Sequence, residues 1–358
     1  MVELPIPQEL AKGIYWLGMR RNVRLESNAY VLLFEHKGVR LPLLIDPGGR
    51  NVVKILLHRL QHILGSLRTL NLLFLSDQDP SAGVNIAYLL KQHPSLTVLC
   101  TEDVCRLAYL LGITSAKFQT IETLKDKKIV LSPNHVIHFV PVPFCPSRGS
   151  CMLYDERRRI LFSGALFGGI TFTVSLFATA QHWEGIRMWH QMYIPSQKSL
   201  QQAIATVLAL QPRPTMIAPK HGAILKEDLI PVVLEKLATL PVGVDLPQAT
   251  EIDKVIYIKA INDVLDHIAS KTGRDIVEYL LQRFDEDISF PHLFQIREGR
   301  LADIRDDILG DVMGAFKMFL YAFLQEQPPK IQEIVRTAIL ESNWDLPLFM
   351  ESFVYRKR

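Results

Sequence analysis

The sequence has no run approaching the roughly 20 uninterrupted apolar residues that a membrane-spanning helix requires. Its opening MVELPIPQEL has no basic region leading into an apolar core, so no secretory signal is expected there. Cysteine is scarce. Cys100, Cys105, Cys145 and Cys151 form no paired CxxC clusters, which argues against a zinc ribbon and fits reduced thiols in a cytoplasm. An excess of one charge is also missing: 40 basic against 37 acidic residues leave a net charge of +3. That balance gives no electrostatic case for nucleic acid. The three arginines at 157–159 follow Tyr154, Asp155 and Glu156 and read as a solvated hairpin turn rather than a phosphate site. Low-complexity segments and internal repeats are absent too. The expectation is a soluble cytoplasmic protein with neither membrane nor nucleic acid as partner.

What is present is a globular composition, 48% hydrophobic and 22% charged over 358 residues, long enough for two domains. Strands are expected at 14–17, 28–34 and 41–45, the last ending in the turn signal Asp46-Pro47-Gly48-Gly49. Helical periodicity follows through Val53, Ile55, Leu56, Leu60 and Ile63. A short buried strand over 70–75 runs into FLSDQDPSAG (74–83), then come a helix over 82–92 and a strand over 96–100. Strands at 137–142, 151–154 and 160–163, a helix over 198–210 and a strand at 215–218 continue the alternation. This texture predicts an α/β layered domain over residues 1–240.

Beyond Leu240 the pattern becomes helical. Helices are expected over 252–270, ending at Lys271-Thr272-Gly273, over 276–284, over 302–325 and over 330–340 after Pro328-Pro329. Residues 250–358 therefore read as a mainly α-helical C-terminal domain. The helix over 302–325 has Ile304, Ile308, Val312, Phe316, Leu320 and Phe323 on one face and Met318, Tyr321 and Leu324 elsewhere. Gly310 and Gly314 permit close approach. This excess of apolar surface predicts a symmetric homodimer through the C-terminal domain, with a protein partner as another use of the same face.

Four stretches, in this order, carry a family resemblance: LLIDPGG (43–49), FLSDQDPSAG, ILFSGALFGG (160–169) and IAPKHGAIL (217–225). Together they resemble the metallo-β-lactamase fold, and within it the flavodiiron and oxygen-binding di-iron proteins. The resemblance spans roughly residues 10–230 and implies an αββα sandwich. In that family the first loop reads H-x-E-x-D-H, a histidine follows in a P-x-x-H-x-x-G-like turn, an aspartate ends FSGD, and a last histidine lies in an HG turn. Imidazoles and carboxylates suit divalent iron or zinc, and a bridging carboxylate offsets the repulsion between two cations.

Against that pattern the sequence departs at nearly every ligand. Asp77 stands at the first histidine, Asp79 keeps the acidic position, and Ser81 and Ala82 replace the next aspartate and histidine. Pro146 falls at the turn histidine and Ala165 at the bridging aspartate; His221 alone is unchanged. The resemblance thus implies a di-metal site that has lost its ligands, so neither metal nor flavin is expected as cofactor. Flavodiiron proteins continue into a flavodoxin domain, whose phosphate loop follows a strand; here Ser270-Lys271-Thr272-Gly273 follows a helix.

Asp77, Asp79 and His221 remain a candidate residual site for one cation, with Cys145 as a possible thiolate. The alternative has both aspartates accepting backbone N–H groups at the following helix, His221 as a hydrogen-bonded wall residue and Cys145 as a buried hydrophobe. His182, Trp183, Trp189, His190 and Tyr193 would line a pocket or pack on the sheet. His58 and His62, one helical turn apart, are a metal pair or a solvated one. The resulting expectation is a catalytically degenerate binding, sensory or scaffold module. The alternative is a hydrolase or oxidoreductase with a rebuilt mononuclear or metal-free site.

Overall fold

The computed structural model describes residues 6–20, 26–36, 38–108, 117–170, 175–244, 251–286, 294–304 and 327–341. Two compact units divide the chain, Met1–Asp245 and Leu246–Arg358. The first is built on two sheets. Strands β1 (Gln8–Ala11), β2 (Ile14–Trp16), β3 (Tyr30–His36) and β4 (Val39–Ile45) form an antiparallel meander. β4 then pairs in parallel with β5 (Leu72–Phe74), followed by β6 (Thr97–Cys100) and β7 (Lys117–Thr120), giving seven strands in chain order. Parallel pairs need crossovers. These are supplied by α1 (Val53–Leu64), by the short α2 (Pro80–Gly83) and α3 (Ile86–Gln92), and by α4 (Glu102–Ala108).

The second sheet contains β8 (Lys128–Ser132), β9 (His135–Pro141), β10 (Cys151–Asp155), β11 (Ile160–Gly164), β12 (Met216–Pro219) and β13 (Leu225–Lys226). Only β11 and β12 run parallel, joined by α5 (Trp183–Tyr193) and α6 (Gln197–Ala209); α7 (Ile230–Ala238) follows β13. Alternation along the strands sorts side chains into three cores. Tyr30, Leu32 and Phe34 of β3 meet Leu153 of β10 and Phe162 of β11 between the sheets. Ala29 and Val31 face Leu56, Leu60, Ile86 and Val104 of the helices outside the first sheet. Met152, Tyr154, Leu161 and Ile217 face Leu200, Ile204, Val233 and Leu237 of α6 and α7. Helices outside, two sheets inside: the expected αββα sandwich is the observed one.

Local departures have identifiable causes. The helix expected over 82–92 breaks between α2 and α3, where the buried Asn85 amide donates to Pro47 O at 3.0 Å and Gly49 O at 2.7 Å. It ties the break to the turn after β4. In the turn at 156–159, Arg157 is exposed as expected, but Arg158 is not a solvated residue. Its guanidinium binds Asp155 at 2.8 Å, Lys12 O at 3.1 Å and Leu33 O at 3.1 Å, joining the two sheets. β7, β8, α4, α5 and α7 were not anticipated, although α7 has Ile230, Val233, Leu234 and Leu237 at helical spacing on its buried face.

In the second unit, α8 (Glu251–Thr272) and α9 (Arg274–Glu286) meet at Gly273, whose φ of +90° suits glycine. Where a helix was expected to start at Ala302, the chain instead forms a hairpin, β14 (Phe294–Arg297) and β15 (Arg300–Ile304). Glu298 and Gly299, at φ +53° and +70°, make the two-residue turn. Asn262 of α8 binds the backbone of Leu301 through both its amide nitrogen, at 2.9 Å, and its oxygen, at 3.0 Å. The remainder of the expected helix, with Gly310, Gly314 and the dimer face, lies outside the described residues. The last described helix is α10 (Pro329–Glu341). Among the described residues no helix is long and apolar enough to cross a membrane.

Candidate functional site

Four strand ends bring the motif stretches together. β4 leads into Asp46, β5 into Ser76 and Asp77, β11 into Gly164 and Ala165, and β12 into Lys220 and His221. Backbone bonds lock the ends to one another. Asp46 N–H donates to Phe74 O at 3.0 Å, Cys151 N–H to Ser76 O at 2.8 Å, and Lys220 N–H to Gly164 O at 2.8 Å. Gly164 has φ +60°, and a Cβ there would lie 2.8 Å from Ser76 Cβ, so only glycine lets the two ends approach. Gly222 has φ +78°, and a Cβ there would lie 2.6 Å from Gly169 O.

The segment 219–222 is clamped on its other side by β3 and the chain before it. The Asn28 amide donates to Pro219 O at 2.8 Å and Gly222 O at 2.9 Å, Tyr30 hydroxyl to Pro219 O at 2.7 Å, and Asn28 N–H to Lys220 O at 2.7 Å. Arg20 adds a bond to Gly222 O at 2.8 Å and stacks over Trp16.

So held, Lys220 points its ammonium at Asp77 and donates to both oxygens, 2.7 Å to Oδ1 and 2.6 Å to Oδ2. The two side chains are only 2% and 1% exposed. Burial alone would lower the lysine pKa; the charges of Asp77, Asp79 and Asp46 outweigh it and raise it. Asp46 behaves oppositely. Burial, aided by Asp77 and countered by Lys220, pushes its carboxyl up to about 7, while Ser76 N–H donates to Oδ1 at 2.9 Å.

Asp79 caps α2 by accepting Ser81 N–H at 2.7 Å, and Asp77 Oδ1 accepts Asp79 N–H at 2.9 Å. Burial opposes the Asp79 charge, but Lys220 and the bonds from Ser81 prevail and lower its pKa. Both aspartates therefore accept backbone N–H groups around the start of the following helix, one of the two arrangements expected. His221 Nδ1 lies 3.1 Å from Glu26 O and Nε2 3.1 Å from Ser81 Oγ. Burial and the neighbouring Lys220 depress its pKa to about 3, so the ring is neutral. A carbonyl only accepts, so Nδ1 carries the proton and the Nε2 lone pair takes the Ser81 hydroxyl. Asp77 is held by Lys220, while Asp79 and His221 share Ser81, one through its N–H and the other through its hydroxyl.

The positions that the sequence resemblance aligns with family ligands make structural contacts here. Ala82 is fully buried in the helix-side core, with its carbonyl accepting Gly48 N–H at 3.1 Å. Ala165 O accepts the Trp189 indole N–H at 2.8 Å. Pro146 lies in the 142–150 loop, which is closed by Ser147 N–H to Ser150 Oγ at 3.0 Å and by Thr101 hydroxyl to Gly149 O at 2.8 Å. Cys145 packs in the core under α6, and burial pushes its thiol up to about 12. It is a hydrophobe and not a thiolate.

The aromatic segment packs on the sheet and walls the site. Trp189 lies 4.7 Å from the His221 ring and 4.2 Å from Tyr193. His190 is fully buried, donates from Nδ1 to Ile186 O at 2.8 Å and accepts Phe167 N–H at 3.1 Å. His182 bonds Thr179 N–H at 2.9 Å ahead of α5. His58 and His62 are exposed on α1. Among the described residues no three His, Cys, Asp or Glu side chains come together as a potential metal set.

Sequence reasoning missed Lys220 and Asp46. Both stood in the quoted motifs, one as an ordinary polar residue beside a histidine and the other as a turn former. The available signal was an imbalance: DQD following a buried strand places acids inside with no cation nearby in sequence.

Comparison with known proteins places these features. The chain is 18% identical over 288 residues to an uncharacterized HTH-type transcriptional regulator of Aquifex aeolicus, covering 79% of this chain and 93% of that one. It is 23% identical to the putative diflavin flavoprotein A 2 of Thermosynechococcus vestitus, of whose length it spans 39%. Among solved structures, the chemotaxis sensor ODP captured as a peroxy di-iron species is 26% identical, with TM-score 0.54, over 67% of this chain and 97% of that one. The apo sensor from T. denticola is equally similar in fold, at 24% identity and TM-score 0.54. The family model for the ODP family beta lactamases matches residues 25–222, and with the sandwich and the four strand ends in place, the chain belongs to that family.

Proposed function

We propose that the protein is a sensory or scaffold module of the ODP family that works without a di-metal centre. The observation that carries this reading is the engagement of His221. The one histidine that matches the family's ligand pattern uses Nδ1 on Glu26 O and turns Nε2 to the Ser81 hydroxyl, so its lone pair meets a neutral donor within the chain. The donor set around it does not fit two irons. Ala82, Pro146 and Ala165 offer no side-chain ligand, Ser81 is a neutral one, and both oxygens of Asp77 already hold an ammonium.

What this chain's residues do is hold one another. Asp79 and Ser81 fix the first loop, Ser81 fixes His221, and Trp189 closes over the ring. A site organised in this way presents a fixed surface rather than a reacting centre. Similarity to a chemotaxis sensor and to an uncharacterized HTH-type transcriptional regulator favours signalling over turnover.

Elemental analysis and melting of the full chain test the reading. Protein purified without chelator should contain far less than one iron or zinc per chain and show no flavin absorbance, and EDTA should leave the melting temperature unchanged. Two tightly held metals per chain would overturn it.

A further inference from the structure

Without a metal, the acidic loops of the site carry unbalanced negative charge. A metal site in this fold gathers carboxylates from several loops, and the metal's positive charge is what lets them sit together away from water. Here Asp77 and Asp79, after β5, and Asp46, after β4, all lie within electrostatic reach of Lys220, and Asp77 and Asp46 are 2% exposed. Buried carboxylates that feel one another's charge repel unless a cation is supplied.

We propose that Lys220 is that cation: its ammonium stands in for the metal, permanently tying the loop after β12 to the acidic loops after β4 and β5. The proposal rests on the metal-free reading, and it goes further by naming what replaces the metal and making its charge the organising element. Three observations carry it. Nζ reaches both oxygens of Asp77 at 2.6–2.7 Å, the fork that a shared cation would occupy. The pair is 143 residues apart in sequence and spans the two sheets, as a metal's ligands do. The lysine backbone is fixed on both sides, its N–H on Gly164 O and its C=O under Asn28 N–H, so the ammonium is delivered to one place. Asp46 and Asp79 lie close enough to feel its charge.

A tether of this kind does not dissociate. The fold around the site becomes independent of iron supply, chelators and oxygen, so any signal the module transmits must enter elsewhere.

The test uses the full chain and thermal melting. Lys220→Met keeps the stem and removes the charge, and its melting temperature should fall by about 10 °C or more, because it strands buried carboxylates. The double variant Asp77→Asn, Lys220→Met should recover most of that loss. If Lys220→Met does not fold, recovery by the double variant still decides the matter.

Lys220→Ala should be stabilised by propylammonium chloride and not by 1-propanol at equal concentration, whereas the unmodified protein should respond to neither. Lys220→Met as stable as the parent, a double variant no better than the single, or equal rescue by propanol would each overturn the built-in cation. Those results would leave the metal-free reading standing. Two metals per chain in the parent would sink that reading first.

Discussion

Two buried aspartates sit at the two ends of β10, and they solve the same problem differently. At one end Asp155 accepts from Arg158 Nη1 at 2.8 Å and from Arg158 N–H at 3.0 Å, and lies 3.0 Å from His135 Nε2. At the other, where Cys151 N–H meets Ser76 O, Asp77 is held by Lys220. Asp155 is paid for by a residue three positions on, within one hairpin turn, and its arginine keeps 19% of its side chain exposed. Asp77 depends on a lysine 143 residues away with 2% exposed. The local pair tolerates change because Asp155 has a second side-chain partner in His135 and Arg158 reaches water. Asp77 has the Asp79 N–H besides Lys220, and the lysine itself is dry, so loss of either member leaves a buried charge uncompensated.

The largest expected effect follows from that contrast. Asp77→Asn strands the Lys220 ammonium and should destabilise the first unit by about 3–5 kcal/mol in denaturant melts. Arg158→Met should cost less, about 1–3 kcal/mol, since Asp155 keeps His135 and the backbone N–H. Equal losses from the two variants would erase the distinction between the clusters.

Asp46 sharpens the comparison through pH. Its folded value of about 7 lies above the ordinary 3.8, so between them the native state keeps a proton that the unfolded chain has released. The contribution of Asp46 to folding is therefore full at acid pH and lost as pH rises through about 7. His221, depressed to about 3 from 6.5, works the other way: its contribution is full above the ordinary histidine value and is lost as pH falls through about 3. The Asp46→Asn variant removes only the first trend. Its stability relative to the parent should rise between about pH 4 and pH 7 and level off above, by a few kcal/mol at most. A pH-independent difference between the two proteins would contradict this assignment.

The smallest effect belongs to the surface. His58→Ala and His62→Ala, on the exposed face of α1, should each change stability by no more than about 0.5 kcal/mol and leave zinc binding, measured by calorimetry, at the parent's level. Micromolar zinc affinity lost in either variant would make them a site after all.

The sandwich was legible because its strands alternate: Tyr30, Leu32 and Phe34 fall on one face and Ala29 and Val31 on the other, and a period of two is visible in a single strand. The hairpin at β14–β15 was hidden because Leu301 owes its place to Asn262, a partner 39 residues away. The site divides along the same line. The departures expected at Ser81, Ala82, Pro146 and Ala165 can be read one residue at a time against a motif. The meeting of Lys220 with Asp77 cannot, since nothing local in IAPKHGAIL distinguishes a buried lysine from one in water.

Trp189 gives this arrangement an outward sign. Its indole is 2% exposed, bonded to Ala165 O and laid 4.7 Å from the His221 ring. An indole so enclosed emits at short wavelength, and an imidazolium quenches it far more strongly than a neutral imidazole does. His221 stays neutral down to about pH 3, so imidazolium quenching of Trp189 is expected to set in only near that pH. With the other three tryptophans replaced by phenylalanine, the emission of Trp189 would report the protonation of the ring it covers.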